Sequence, residues 1–295
     1  MYILIATIGF SALAVVSILD KFILTKKTTD PALYAFYSTI FALPLCLVFP
    51  FIALPYGFEV WIFSIVAGLF YGVALWTMYK GIEKGEVSHV GPLVGAAVPL
   101  FSIFLGGFFL KEVLSPYQII AIAFLIFGSF ILAFEKRKKG QGLRAGTAFG
   151  FLAGLIFAVS LVSLKFVFTQ TDFLTGIILV WFFTGVSGLF FLFFPAVRKN
   201  FIKKTSTEST KRLATIIMNI TLGAIGVILV QWAISLGPVT IVNSLGGVRY
   251  GLLVLFVAIL SRFFPKIFKE EYTKLEFAQE AMAILLIAGG LMILL

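Results

Sequence analysis

Cysteine and histidine are almost absent from this chain of 295 residues, with Cys46 and His89 the single representatives. A disulfide framework needs an even cysteine count and a zinc module needs several ligands, so neither is available, and no metal site or cofactor is expected. Charge is scarce too. Asp, Glu, Lys and Arg make up 12% of the residues and hydrophobic types 61%, against about 25% and 45–50% in soluble chains. That balance excludes a soluble fold and a disordered chain. Acidic residues are rarest, 13 against 23 Lys and Arg, a formal charge of +10. In a soluble protein such a surplus would suggest nucleic acid. Here the cations stand in short gaps between apolar runs, where they report topology instead, and no nucleic-acid partner is expected.

What the chain does have is long apolar sequence. A spanning helix takes about 20 mostly apolar residues, and ten segments qualify: 2–22, 32–53, 60–79, 87–110, 116–134, 145–168, 173–195, 214–234, 238–261 and 277–295. The first run, Ile3 to Leu19, exceeds the roughly 7–15 apolar residues of a signal peptide and has no basic segment before it, so it reads as a retained span. Turn signals such as Asp30-Pro31, Ser115-Pro116 and Gly237-Pro238 fall between the runs. The cations test the count. After the first, third, fifth, seventh and ninth spans stand 3, 2, 5, 6 and 4 Lys or Arg, while the opposite face has only Lys111 and Lys165 and the last cation, Arg249, lies within span nine. Positive charge stays on the cytoplasmic side of short loops. Both termini are therefore expected outside the cytoplasm, with the protein multi-pass in a prokaryotic inner membrane.

The ten spans fall into two similar sets of five. Gly85-Glu-Val-Ser-His-Val-Gly-Pro-Leu-Val-Gly95 aligns with Gly237-Pro-Val-Thr-Ile-Val-Asn-Ser-Leu-Gly-Gly247 at a constant offset of 152, and Lys21-Phe22 with Lys165-Phe166 at 144. Five is odd, so a second copy enters the membrane from the other side. The expected fold is all-α and integral to the membrane, ten transmembrane helices as two inverted five-helix repeats, residues 1–140 and 141–295. Carriers of this design bind substrate near the midplane, where the repeats meet.

These residues resemble a family. Tyr79-Lys-Gly-Ile-Glu-Lys-Gly85 running into Val87-Ser-His-Val-Gly-Pro-Leu-Val-Gly-Ala-Ala-Val-Pro-Leu100, and Phe109-Leu-Lys-Glu-Val-Leu-Ser115 before span five, are similar to the drug/metabolite transporter superfamily in its ten-helix EamA-type branch. Gln231-Trp-Ala-Ile-Ser-Leu-Gly-Pro-Val-Thr-Ile-Val-Asn243 and Lys269-Glu270 are the second-copy counterparts. The resemblance implies a transporter rather than an enzyme. Two departures stand out. The family's usual Gly-Glu before spans five and ten is Lys111-Glu112 and Lys269-Glu270 here, and its better-known members keep their termini in the cytoplasm, against the charge count.

Arg249 lies eleven residues beyond Pro238, roughly 16 Å into its span at about 1.5 Å per residue. A cation so deep costs at least about 2.5 kcal/mol, so it should face a wet cavity, a substrate or backbone carbonyls. No Asp or Glu is expected at comparable depth, since Asp20, Glu112 and Glu280 stand near span ends and read as solvated. Asn243 is the expected companion of Arg249, while the adjacent Tyr250 should point elsewhere. Trp76, Tyr79, Gln231 and Trp232 end spans three and eight; Gln231 and Trp76 are candidates for the cavity lining, whereas Tyr79 and Trp232 also suit interfacial anchoring. His89 opens span four, either passing protons or simply solvated. Lys21 and Lys165 either snorkel or draw anions to a cavity mouth. Gly91, Pro92, Gly95 and Pro99 in span four, with Gly247 and Gly251 in span nine, suit close packing or a hinge, and the two prolines should kink span four.

No Walker A motif, His-Glu-x-x-His or pair of deep aspartates is present. The sequence thus favours a secondary carrier, an exporter of a small anionic, zwitterionic or polar metabolite, with lipid as surroundings and protons as a candidate partner. A lipid flippase or scramblase is the alternative, followed by a membrane-embedded enzyme. The oligomeric state is not legible.

Overall fold

A computed structural model describes residues 1–25, 30–84, 87–134, 143–202, 207–263 and 274–295. Among the described residues every regular element is helical: α1 (Tyr2–Thr25), α2 (Pro31–Ile40), a 3-10 segment (Leu43–Phe51), α3 (Phe58–Lys84), α4 (Val87–Phe109), α5 (Pro116–Phe134), α6 (Leu143–Gln170), α7 (Phe173–Phe191), α8 (Pro195–Ile202), α9 (Thr207–Leu236), α10 (Val239–Ser244), α11 (Gly246–Phe263) and α12 (Lys274–Leu294). Among the described residues nine stretches are long and apolar enough to span a membrane, and Ala278–Leu294 is a shorter apolar helix. The chain is a multi-pass membrane protein.

Local sequence sets several boundaries. Asp30 caps α2, accepting from the Ala32 N–H at 2.8 Å, with Pro31 supplying a pre-set first turn. Ser115 and Gln118 form a reciprocal cap on α5, each backbone N–H donating to the other's side chain. Asp172 caps α7 by accepting from the Thr175 N–H at 3.0 Å. Hydrogen bonds from Thr175 hold this carboxyl below its usual range.

Two expectations about the spans are corrected. Span two is not one helix: α2 ends at Ile40 and the chain continues as the 3-10 segment, whose carbonyls and amides follow a tighter path. Gly185 and Gly188 of α7 sit against this break, at Ala42–Leu43 and Thr39–Ile40. Span nine is not one helix either, α10 giving way to α11 at Leu245, while α4 runs from Val87 to Phe109 with Pro92 and Pro99 inside it.

Glycines let the helices cross closely, as expected where lipid supplies no hydrophobic drive. Gly9 of α1 lies on Gly226 of α9, Gly81 of α3 on Gly146 of α6, and Gly128 and Gly290 join α5 to α12. The directions can be read from these contacts. Gly128 meets Ala283 and Ile287 while Ala121 meets Gly290, so α5 and α12 run antiparallel; Ile40 meets Gly188 while Leu43 meets Gly185, so α2 and α7 do too.

Candidate functional site

The helices enclose a central cavity of about 580 Å³, bounded by α1, α2, the 3-10 segment, α3, α4, α6, α7, α9, α10 and α11. Its walls are mainly apolar and aromatic, with Phe10, Tyr71 and Phe157 among them. Two opposite charges interrupt them.

Arg249 reaches the cavity from the first turns of α11. Its Nε–H donates to Ser17 Oγ on α1 at 2.8 Å, and the Ser17 hydroxyl donates in turn to Leu13 O. The hydroxyl thus engages the guanidinium through Nε, and among the described residues no bond takes up its two NH2 groups, while Arg249 lines the cavity. Asp20 lies three residues beyond Ser17, on the same face of α1, and it also lines the cavity. Its Oδ1 accepts from the Tyr34 hydroxyl on α2 and from Asn219 Nδ2 on α9 at 2.7 Å. Asn219 Nδ2 stands 2.9 Å from the Tyr34 oxygen as well, so α1, α2 and α9 meet in one buried polar knot. Asp20 is 7% exposed.

The expected solvated Asp20 is therefore corrected, and with it the premise that no carboxylate shares the region of Arg249. Asp20 is near the end of the apolar run, but α1 continues for a further turn to Thr25, and α2 and α9 fold over it. Glu280 is buried also. Lys80 and Glu83 form an ion pair at 2.9 Å, and Asp20 and Arg249 form none with each other. Asp20 and Arg249 thus face the same space unpaired with each other.

Several other candidates converge here. Asn243 lines the cavity from α10; its Nδ2 donates to Ser102 Oγ at 2.8 Å, and its buried Oδ1 has no described partner. The break at Leu245 puts it on a different helix from Arg249. Gln231 accepts from Trp181 Nε1 at 2.7 Å, and both line the cavity. Tyr79 is buried, its ring 4.6 Å from that of Tyr34 and its hydroxyl 3.4 Å from Ser38 Oγ, a wall residue and not an interfacial anchor. Trp232 is 40% exposed, as an anchor would be.

Tyr250 is corrected too. It is buried and lines the cavity, with the Arg249 guanidinium carbon 5.5 Å from its ring centroid. Its ring rests on Gly91 and Gly95 of α4, where a Cβ would collide with it. Those glycines are a seat for an aromatic ring. Gly247 and Gly251 pack instead on Ser129 and Leu125 of α5 and on Ile287 of α12. Pro92 and Pro99 lie within α4.

Others lie apart. Trp76 packs against Phe194, ring centroids 5.5 Å apart, outside the lining. The side chains of His89 and Lys21 fall outside the described residues. Lys165 neither snorkels nor guards a mouth: its Nζ donates to Ile234 O at 2.9 Å and Ser235 O at 3.3 Å, satisfying the last carbonyls of α9. Glu112, half-buried, does the converse for α10, accepting from Val239 N at 2.6 Å, Thr240 N at 3.3 Å and Thr240 Oγ1 at 2.7 Å. The preceding Lys111 has φ 53°. That left-handed backbone suits glycine, the residue the resemblance places there.

Ser17, Asp20, Tyr34, Trp181 and Asn219 were not among the sequence candidates. The available signal was polar spacing: Ser17 and Asp20 at i, i+3 share a face of an apolar helix, and Asn219 is an isolated amide in span eight.

None of the curated proteins matches the chain. Among solved structures, a crystal structure of a protein superposes over 99% of this chain and 94% of its own length, with a TM-score of 0.65 at 17% identity. That likeness concerns the fold alone. Residues 1–134 match the EamA-like transporter family. That match agrees with the resemblance read from the motifs and covers 134 of the 295 residues.

Proposed function

We propose that the protein is a secondary carrier that exports a small zwitterionic metabolite by alternating access, across ten spans arranged as two inverted repeats, 1–140 and 141–295. The observation that carries this reading is the cavity in which Arg249 and Asp20 face one space without pairing. Charges within a membrane are accommodated by a partner, water or a ligand. A carboxylate or phosphate would take the guanidinium edge of Arg249, and an ammonium group would take Asp20 between Tyr34 and Tyr79. Asp20 provides for a positively charged group, and a purely anionic substrate would leave that carboxylate unmatched.

The repeat reading is supported by helix pairing. Spans one and eight pack along each other as α1 and α9, and their counterparts six and three do so as α6 and α3. Spans two and seven, and five and ten, are equivalents under the repeat, and both pairs run antiparallel. Halves related by an axis along the membrane normal would make them parallel; a two-fold axis in the membrane plane reverses them. Inner-membrane placement and extracytoplasmic termini continue to rest on the cation count. Asp20 is also the candidate group for proton coupling.

The test is uptake of a metabolite panel into proteoliposomes, with and without a pH gradient. Transport of zwitterions that is lost in both Arg249→Ala and Asp20→Asn supports the reading; transport unaffected by either variant refutes it. A lipid flippase or scramblase is the second reading, and it requires a side opening to the bilayer.

A further inference from the structure

The wall of the cavity is uneven. On one side α3 and α7 close tightly, with Gly68 against Phe183 and Thr184, and Gly72 against Ser187. Under the repeat proposed above, the counterpart of that seam is the one between α9 and α2 with its 3-10 continuation. There the lining is exposed. Phe41 is 55% exposed, Ile217 39% and Thr221 exposed, yet all three line the cavity. No residue of the 3-10 segment is buried.

The depth of this gap identifies what lies outside it. Phe41 follows the ten residues of α2 and precedes the nine of the 3-10 segment. At rises of about 1.5 and 2.0 Å per residue it stands some 15 Å from one end of the span and 18 Å from the other. Thr221 lies seven residues, about 10 Å, into the apolar part of α9, Ala214–Leu236. A hydrocarbon core is about 30 Å thick, so this part of the seam faces acyl chains. Polar bridges border it on both sides: Tyr34 with Asn219 toward one membrane face, and Trp181 with Gln231 toward the other.

We propose that the gap between α2 with its 3-10 continuation and α9, framed by these two bridges, is a lateral portal through which a zwitterionic amphiphile joins the cavity from the bilayer, its polar group held between Arg249 and Asp20 and its apolar chain passing Phe41 and Thr221 into lipid. The inference rests on the carrier reading and narrows its substrate from zwitterions in general to those that partition into membranes. The helix break makes such a portal possible. A 3-10 turn tolerated at mid-membrane must line a cavity or be covered by protein, and here α7 covers one face of the break through Gly185 and Gly188 while Phe41, Ala42 and Leu45 line the cavity on the other.

Trp181 provides the reporter, since it lines the cavity behind the gap. In a variant keeping Trp181 alone (Trp61→Phe, Trp76→Phe, Trp232→Phe), reconstituted in phosphatidylcholine brominated at mid-chain, its emission should fall at least twofold relative to unbrominated lipid, while aqueous iodide quenches little. Filling the gap with Thr221→Phe or Ala224→Phe should restore at least half the lost emission. Quenching by iodide instead of bromine would make the cavity purely aqueous, and bromine quenching unchanged by the filled gap would place the lipid contact elsewhere; either result overturns the portal. Binding of lysophosphatidylcholine, followed by native mass spectrometry, gives the second readout. Wild type should retain it, Arg249→Ala and Asp20→Asn should lower its occupancy at least fivefold, and glycerophosphocholine should not compete. Competition by the chainless headgroup at equal concentration would refute the amphiphile while leaving a zwitterion carrier intact.

Discussion

Arg249 and Ser17 join the two halves of the chain: the Nε–H of one donates to the hydroxyl of the other at 2.8 Å, across the interface between α11 and α1. The bond fixes which edge of the guanidinium is spent on the protein and which remains for a ligand. It also places Arg249 within one helical turn, along α1, of Asp20, the other charge among the described residues of the cavity wall.

Removing the anchor should therefore weaken substrate binding without abolishing it. Ser17→Ala forfeits one hydrogen bond to a charged group, about 1.5–3 kcal/mol, which corresponds to a loss of affinity of roughly 10-fold or more. Arg249→Lys keeps the charge but not the planar fork. It should transport worse than Ser17→Ala in the same proteoliposome assay. Equal activity of wild type and Arg249→Lys would mean that the cation acts as a point charge.

The seat of Tyr250 makes a second prediction. A Cβ at Gly91 would stand 2.8 Å from Tyr250 Cε1, and one at Gly95 would be closer still to the other edge of the ring. Gly95→Ala should destabilise the protein by about 1–3 kcal/mol through overpacking. Adding Tyr250→Leu should recover part of that loss, a coupling a thermal-unfolding double-mutant cycle would detect. Strict additivity would mean that the ring does not occupy this seat.

Lys111 and Glu112 act in opposite senses on stability. Lys111 holds φ 53°, which costs an L-residue roughly 1–2 kcal/mol, so Lys111→Gly should raise the thermal midpoint. Glu112→Ala leaves the amides of Val239 and Thr240 without their acceptor and should lower it, by about 1.5–3 kcal/mol. If both variants melt with wild type, the loop does not cap α10.

Orientation is independently testable. Reporter fusions at Leu295 and within residues 198–212 should score on opposite sides of the membrane, with Leu295 outside the cytoplasm. A cytoplasmic Leu295 would restore the orientation usual among the family's better-known members.

Much of the architecture was legible because spans are long and chemically uniform. Hydropathy locates α1, α4 and α6 without ambiguity, and turn residues such as Asp30-Pro31 mark where helices begin. The break in span two had one cue, Pro44, which cannot donate to the Ile40 carbonyl where α2 ends, but Leu43–Phe51 is otherwise as apolar as a helix, and the contact of Leu43 with Gly185, over 140 residues away, was not legible. The interruption of span nine at Leu245, before two glycines, was not legible either. At the site, Arg249, Asn243 and Gln231 could be picked because each is an isolated polar group deep in an apolar run. Asp20 could not. Its position near a span end suggests water, and only the fold reveals that Tyr34 and Asn219 close over it.

The central claim is that Asp20 and Arg249 together hold a zwitterion in the central cavity. The most direct test is uptake of one transported zwitterion into proteoliposomes by wild type, Asp20→Asn and Arg249→Ala, with thermal unfolding of each purified protein measured alongside. The account predicts that both variants remain folded and lose transport at least 100-fold, each failing separately. A folded Asp20→Asn or Arg249→Ala protein that transports that zwitterion at the wild-type rate would contradict it.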